Sequence, residues 1–137
     1  MDEREFTFSE ARHTLDVILD DVAAMRETQL ELRAVKAQIN QLNRLHLNNG
    51  HLGDARQRAL RRQQRHLGEE VSRLINAIHA TGAVIKGIDD GLVDFPGVID
   101  GVRGYWCWKS GEDAIEWWHP RGTGFADRRP LPDGANG

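Results

Sequence analysis

The chain has a single cysteine in 137 residues. That excludes an internal disulfide and fits a reducing compartment. No apolar run approaches the roughly 18 residues that a membrane-spanning helix needs. The opening MDEREFTF is acidic and carries no apolar segment of the kind a signal peptide requires. Positive charge is not in excess: 18 Lys and Arg against 21 Asp and Glu leave a net charge of -3. No global basic field therefore points to nucleic acid. No His-x-x-x-His and no Cys-x-x-Cys occurs, so neither of these zinc-site spacings is present. No aromatic residue stands between Phe8 and Phe95, which removes the stacking platform of a single-strand binder from most of the chain. With 28% charged and 39% apolar residues, the composition suits one soluble, cytoplasmic globular domain spanning 1–137.

Proline and glycine are also absent from Thr7 to Asn49, and a long helix fills that stretch. Thr7 and Glu10 form a capping box in which each side chain takes the other's backbone N–H. Leu15, Ile18, Val22, Met25, Leu32, Val35, Ile39 and Leu42 then recur at heptad-like spacing. The helix runs about 40 residues, or roughly 60 Å. Asn48-Asn49-Gly50 reads as a turn. Asp54 is the N-cap of a second helix whose line is Leu60, Gln64, Leu67, Val71, Leu74 and Ile78. Gly82 closes it. Residues 7–82 thus form a coiled-coil-like antiparallel helical hairpin. Leu30, Leu45 and Leu47 lie off the main line, which implies a second contact and a homodimer.

Charge is segregated along this hairpin. The turn-side half carries Arg33, Lys36, Arg44, Arg56, Arg58, Arg61, Arg62 and Arg65 against Asp54. The other half carries Asp16, Asp20, Asp21, Glu27, Glu31, Glu69 and Glu70 against Arg26 and Arg73. One reading is a solvated arginine face. Another is a phosphate-binding tip. A third is antiparallel self-association, which sets each basic tip against the other copy's acidic base. Self-association outranks nucleic acid because the net charge is negative and the acidic half lies on the same helices.

From Ala83 the period changes. The stretch Gly91–Leu131 holds all four tryptophans, the only tyrosine and the only cysteine. Gly104–Trp108 and Ala114–Trp118 read as strands joined by a loop over 109–113. Residues 83–131 are expected to form a small antiparallel β-meander, and 132–137 a disordered tail. The fold class is α+β, mostly α. Trp117 and Trp118 are adjacent and point to opposite faces. One face covers the helices, and the other then calls for a partner subunit or a ligand.

GLVDFPG, Asp100-Gly101, CWKSGE, WWH and GF-x-x-R, with the opening FTFSEA and Ile85-Lys86-Gly87-Ile88-Asp89, resemble the bacterial family known as domain of unknown function 2203. The resemblance covers nearly the whole chain. It implies a small bacterial protein with no established activity. The family's motif positions fall here on Asp94, Phe95, Pro96, Asp100, Trp108, Gly111, Glu112, Trp118, His119, Gly124, Phe125 and Arg128.

Asp94, Asp100, Glu112, Trp118, His119 and Arg128 are the candidate binding residues. Asp94 inside an apolar run is a strand-end cap, a partner of buried donors, or a ligand. Pro96 ends any ladder there. Glu112 closes a Ser-Gly-Glu turn, and a strand-end carboxylate can point into a cleft. His119 between the Trp pair and Pro120 is a structural hydrogen-bonder, a proton carrier or a metal ligand. Asp94, Glu112 and His119 together would suit a divalent cation such as manganese, iron(II) or magnesium. Arg128 forks onto a carboxylate or phosphate, or pairs internally with Asp94 or Glu112. Cys107 reads as a buried inert thiol. Three functions follow. The first is a homodimeric interaction module with a recognition surface on the β-motif for an unidentified protein or small ligand. The second is a small metal-assisted hydrolase. Nucleic-acid binding at the hairpin tip trails both.

Overall fold

The computed structural model describes residues 3–49 and 54–134, with side chains except at 46–49. The expected turn residue Gly50, the histidine at 51 and the last three tail residues lie outside the described residues, as do the side chains of His46 and Leu47.

Helix α1 (Phe8–Asn49) starts one residue after Thr7. The capping box is formed: the Glu10 amide donates to Thr7 Oγ1 at 3.1 Å, and the Thr7 amide to Glu10 Oε1 at 2.9 Å. With nothing to interrupt it, α1 runs 42 residues, about 63 Å at the α-helical rise. Helix α2 (Asp54–Ala80) packs along it and buries Leu60, Leu67, Val71, Leu74 and Ile78. It ends in a left-handed Gly82 at φ 98°, whose amide donates to the His79 carbonyl at 2.9 Å.

Five strands follow: β1 (Val84–Gly87), β2 (Leu92–Ile99), β3 (Val102–Lys109), β4 (Trp117–Pro120) and β5 (Arg129–Pro130). They lie side by side in chain order, each antiparallel to the next. A single 3-10 turn, Phe125–Asp127, interrupts the last connection. The β2–β3 turn has positive φ at both Asp100 (53°) and Gly101 (79°). Two such residues give the twist that a tight hairpin needs, which accounts for an Asp-Gly pair there.

The strands differ from the sequence expectation in two places. The β4 strand begins at Trp117, so Ala114–Glu116 belong to the preceding loop. That loop hydrogen-bonds onto its own ends. The Glu112 amide donates to the Lys109 carbonyl (3.0 Å), and Trp108 Nε1 donates to the Glu112 carbonyl (3.0 Å). Trp106 therefore pairs with Trp118, and Cys107 with Trp117. The second correction concerns Pro96, which does not end the ladder: β2 runs through it to Ile99. By Phe95 the β1 strand has ended, because its last partner on β2 is Asp94. The Pro96 carbonyl on that free side accepts from the Phe6 amide at 2.7 Å. The ring nitrogen of a strand residue faces the same side as its carbonyl, so its missing N–H costs the β2–β3 ladder nothing.

The inner sheet face packs on the base of the hairpin. Val93, Phe95, Ile99, Trp106, Trp108 and Trp118 share one core with Phe6, Phe8, Ile18, Val22, Met25, Leu74 and Ile78. Trp106 Nε1 donates to the Phe6 carbonyl at 2.9 Å, which satisfies its buried N–H. Gly97 permits this approach, since a Cβ there would lie 2.6 Å from both the Phe6 oxygen and Trp106 Nε1. The far half of the stem has a thinner core: Leu32, Val35, Ile39, Leu60 and Leu67, with Leu42 at its edge.

Candidate functional site

The chemistry-bearing side chains collect on the outer sheet face. Alternation along β3 sends Trp106 and Trp108 inward and Cys107 outward. The register sets Cys107 beside Asp94 of β2 and Trp117 of β4. His119, two residues beyond Trp117, projects from the same face. Asp94, Cys107 and His119 each offer a ligand atom, and these atoms all lie within 4.8 Å of one another. All three residues are buried, at 1%, 0% and 2% exposure.

What buries them is the chain itself. The sequence alone suggested that the outer face needs a partner or ligand, but residues 121–128 fold across it. Thr123 Oγ1 reaches His119 Nδ1 at 3.4 Å. The Arg121 guanidinium lies 5.3 Å over the Tyr105 ring. The Arg128 guanidinium sits between Trp117 (5.0 Å) and Phe125 (4.7 Å). Arginine planes on aromatic faces suit such a cover, because their charge stays partly hydrated while the ring loses water. Glycines at 122 and 124 flank Thr123 and let the strap turn, Gly122 at φ 80°.

Hydrogen bonding within the cluster can be accounted for atom by atom. His119 Nδ1 meets the Pro120 carbonyl at 3.2 Å and the Thr123 hydroxyl at 3.4 Å. The carbonyl can only accept. The hydroxyl donates its own proton to the same carbonyl at 2.6 Å, so it too accepts from Nδ1. Nδ1 therefore carries a proton. Nε2 faces Asp94 Oδ2 at 2.9 Å. The other oxygen, Asp94 Oδ1, is buried without a hydrogen-bond partner, a costly arrangement for a carboxylate. Burial pushes the Cys107 thiol well above its ordinary range, and the neighbouring Asp94 carboxylate pushes it further. As a free group it is a thiol, not a nucleophile.

Glu112 and Arg128 form a second pair beside this cluster. Arg128 Nη2 lies 2.8 Å from both Glu112 oxygens. Glu112 Oε1 also accepts from the Lys109 amide at 2.7 Å. Of the ligand set Asp94, Glu112 and His119, two members converge; Glu112 is committed to Arg128, and Cys107 stands where the third ligand was expected. Arg128 takes the internal pairing, with Glu112 as its partner. Asp100 lies exposed in the β2–β3 turn, and Trp118 is 7% exposed on the helix-facing side. Sequence reasoning passed over Cys107 because alternation gives its face but not its cross-strand neighbours. Only the β2–β3–β4 register aligns it with Asp94 and His119.

A family model described as Uncharacterized conserved protein (DUF2203) matches residues 4–131. The chain belongs to that family. No curated protein and no solved structure matches it. The matched residues include the helical hairpin, the buried cluster and the strap that covers it. Among the described residues, no helix is long and apolar enough to cross a membrane.

Proposed function

We propose that this family member is an interaction module that works as a homodimer, paired through the outer face of α1. The observation that carries this reading is a row of exposed apolar side chains on that face. Leu19, Leu30 and Leu45 are 43%, 63% and 50% exposed, and Ala23, Ala34 and Ala37 fall between them and are also exposed. At 100° per residue these six positions lie within about 80° of arc. Leu30 stands near the middle of the 42-residue helix. An antiparallel two-fold pairing centred there sets Leu30 against its own copy and Ala23 against Ala37 of the other copy. The alanines let the helix backbones approach, and full-length overlap follows.

Two further features favour this pairing. The exposed Arg44 toward the stem end of α1 would stand opposite the exposed Asp16 at the acidic base of the other copy, since both are fourteen residues from Leu30. The thin distal core gains the buried area that one hairpin cannot supply to itself. The recognition surface on the β-motif is then the 110–113 turn, which forms a groove with Leu19, Ala23 and Arg26 of α1. Its occupant is the stretch of the second copy's α1 from Ala34 to Gln41, the positions that pair with Arg26 and Leu19 about the Leu30 axis. A hydrolytic cation needs water and substrate at its open position. Asp94 and His119 are sealed under the strap, so the interaction reading stands ahead of the enzymatic one.

Sedimentation equilibrium at low and high salt tests the reading. The expected result is a dimer that weakens with salt and becomes a monomer on Leu30→Glu, with helicity unchanged. A wild-type monomer at both salt concentrations refutes it.

A further inference from the structure

We infer that Asp94, Cys107 and His119 form a buried site for one divalent cation of the zinc class. The inference is independent of dimer formation. It starts from the orphaned carboxylate oxygen. Asp94 is 1% exposed, and its Oδ1 has no hydrogen-bond partner. The neighbouring Sγ and imidazole nitrogen lie within 4.8 Å. Tetrahedral zinc, with bonds of about 2.0–2.3 Å, separates its ligands by roughly 3.5 Å. His119 Nε2 and Asp94 Oδ2, now 2.9 Å apart, would open by about half an ångström, and with all ligand atoms within 4.8 Å no pair need close by more than about an ångström.

Orientation of the histidine agrees with this role. Its Nδ1–H is held by the Pro120 carbonyl and the Thr123 hydroxyl. A metal-binding histidine uses one ring nitrogen and anchors the other in this way, which fixes the tautomer with the free lone pair on Nε2. Nε2 is the nitrogen that points at Asp94.

The donor set selects the metal. A divalent ion with one carboxylate, one thiolate and one neutral imidazole has zero net charge, the Cys107 Sγ proton being released on binding. A buried site tolerates that set because no uncompensated charge is left behind. One sulfur, one nitrogen and one oxygen donor suit zinc or cobalt and disfavour magnesium or calcium, which take oxygen alone. Three protein ligands leave a fourth position for a water. The strap over residues 121–128 closes the site, so loading accompanies folding.

The test refolds the full chain from denaturant with chelator removed and Co²⁺ added. The expected result is one Co²⁺ per chain. It should show tetrahedral visible bands, a near-ultraviolet thiolate-to-cobalt charge-transfer band, and a raised melting temperature. Cys107→Ser removes the charge-transfer band and His119→Gln weakens the visible bands, while Glu112→Gln keeps both. Two outcomes overturn the assignment: a wild-type chain that refolds with no charge-transfer band at stoichiometric Co²⁺, or a band that survives Cys107→Ser. The first is read on the native sequence, so the test stands even where a variant fails to fold. Loss of metal with an unchanged dimer leaves the self-association reading standing on its own evidence.

Discussion

Replacing Asp94 by leucine tests the buried cluster most directly. The substitution keeps the approximate volume but removes the acceptor for His119 Nε2 at 2.9 Å, at a site where both side chains are 2% exposed. Removing one partner of a buried hydrogen bond costs about 1–3 kcal/mol, because the remaining group is left buried and unpaired. A domain of this size has about 5–15 kcal/mol of stability in all. The loss should lower the melting temperature by roughly 4–12 °C, at about 4 °C per kcal/mol for this chain length. Removing both partners in Asp94→Leu/His119→Leu leaves no orphan at that contact. The double variant is expected to recover at least about 1.5 kcal/mol relative to the sum of the two single losses. Urea unfolding of chelator-treated protein, followed by circular dichroism, gives all four corners of the cycle. A single-variant loss below about 1 kcal/mol, or strict additivity in the double variant, would falsify the account of a coupled buried pair.

Other positions give sharper local tests. Gly97→Ala places a Cβ against the Phe6 carbonyl and Trp106 Nε1. It should cost about 2–4 kcal/mol through the lost indole bond and its unsatisfied donor, whereas Gly124→Ala, which has open space around it, should be near neutral by thermal melting. Thr7→Ala should cost about 1 kcal/mol by removing one side of the capping box. The same box holds the Glu10 carboxyl below its ordinary value of 4.5, first through the Thr7 backbone N–H and then its hydroxyl. That contribution is present above the ordinary carboxylate value and is lost as pH falls through the depressed one, so Glu10→Gln should flatten the acid limb of a stability profile. Arg33 pairs with Asp89 across α1 and the β1–β2 turn, but both side chains are about half exposed; Asp89→Ala is expected to change the urea midpoint by less than about 1 kcal/mol equivalent.

The helical half was open to sequence reading because its signals are local. A capping box, an unbroken run of forty-two residues and an apolar line at steps of three and four need no distant partner to be interpreted. Thr7, Glu10, Leu60, Leu74 and Gly82 all take the positions that their neighbours along the chain imply. The sheet was legible only in part. Trp117 and Trp118 point to opposite faces as alternation requires, with Trp118 in the core and Trp117 under Arg128. The start of β4 was not, because the 109–116 loop takes up hydrogen bonds that a strand would otherwise use. Pro96 misled for a related reason: a proline disrupts a ladder only on the side its nitrogen faces, and where β1 ends decides whether a strand stands there.

The candidate site divides along the same line. Asp94, Glu112, His119 and Arg128 stood out individually, as polar groups set among aromatic and apolar residues. Their grouping followed from contacts across strands. Glu112 went to Arg128, and Cys107 joined Asp94 and His119. The primary sequence by itself determined the long hairpin, its charge segregation, the face of each strand residue and the concentration of chemistry after Gly91. Only the tertiary structure decided which of those residues meet, and that residues 121–128 close over them. The physical reason is range. Helix periodicity, capping and strand alternation are properties of residues a few positions apart. Register between strands and the path of a covering loop depend on which competing long-range contacts win, and no single segment carries that information.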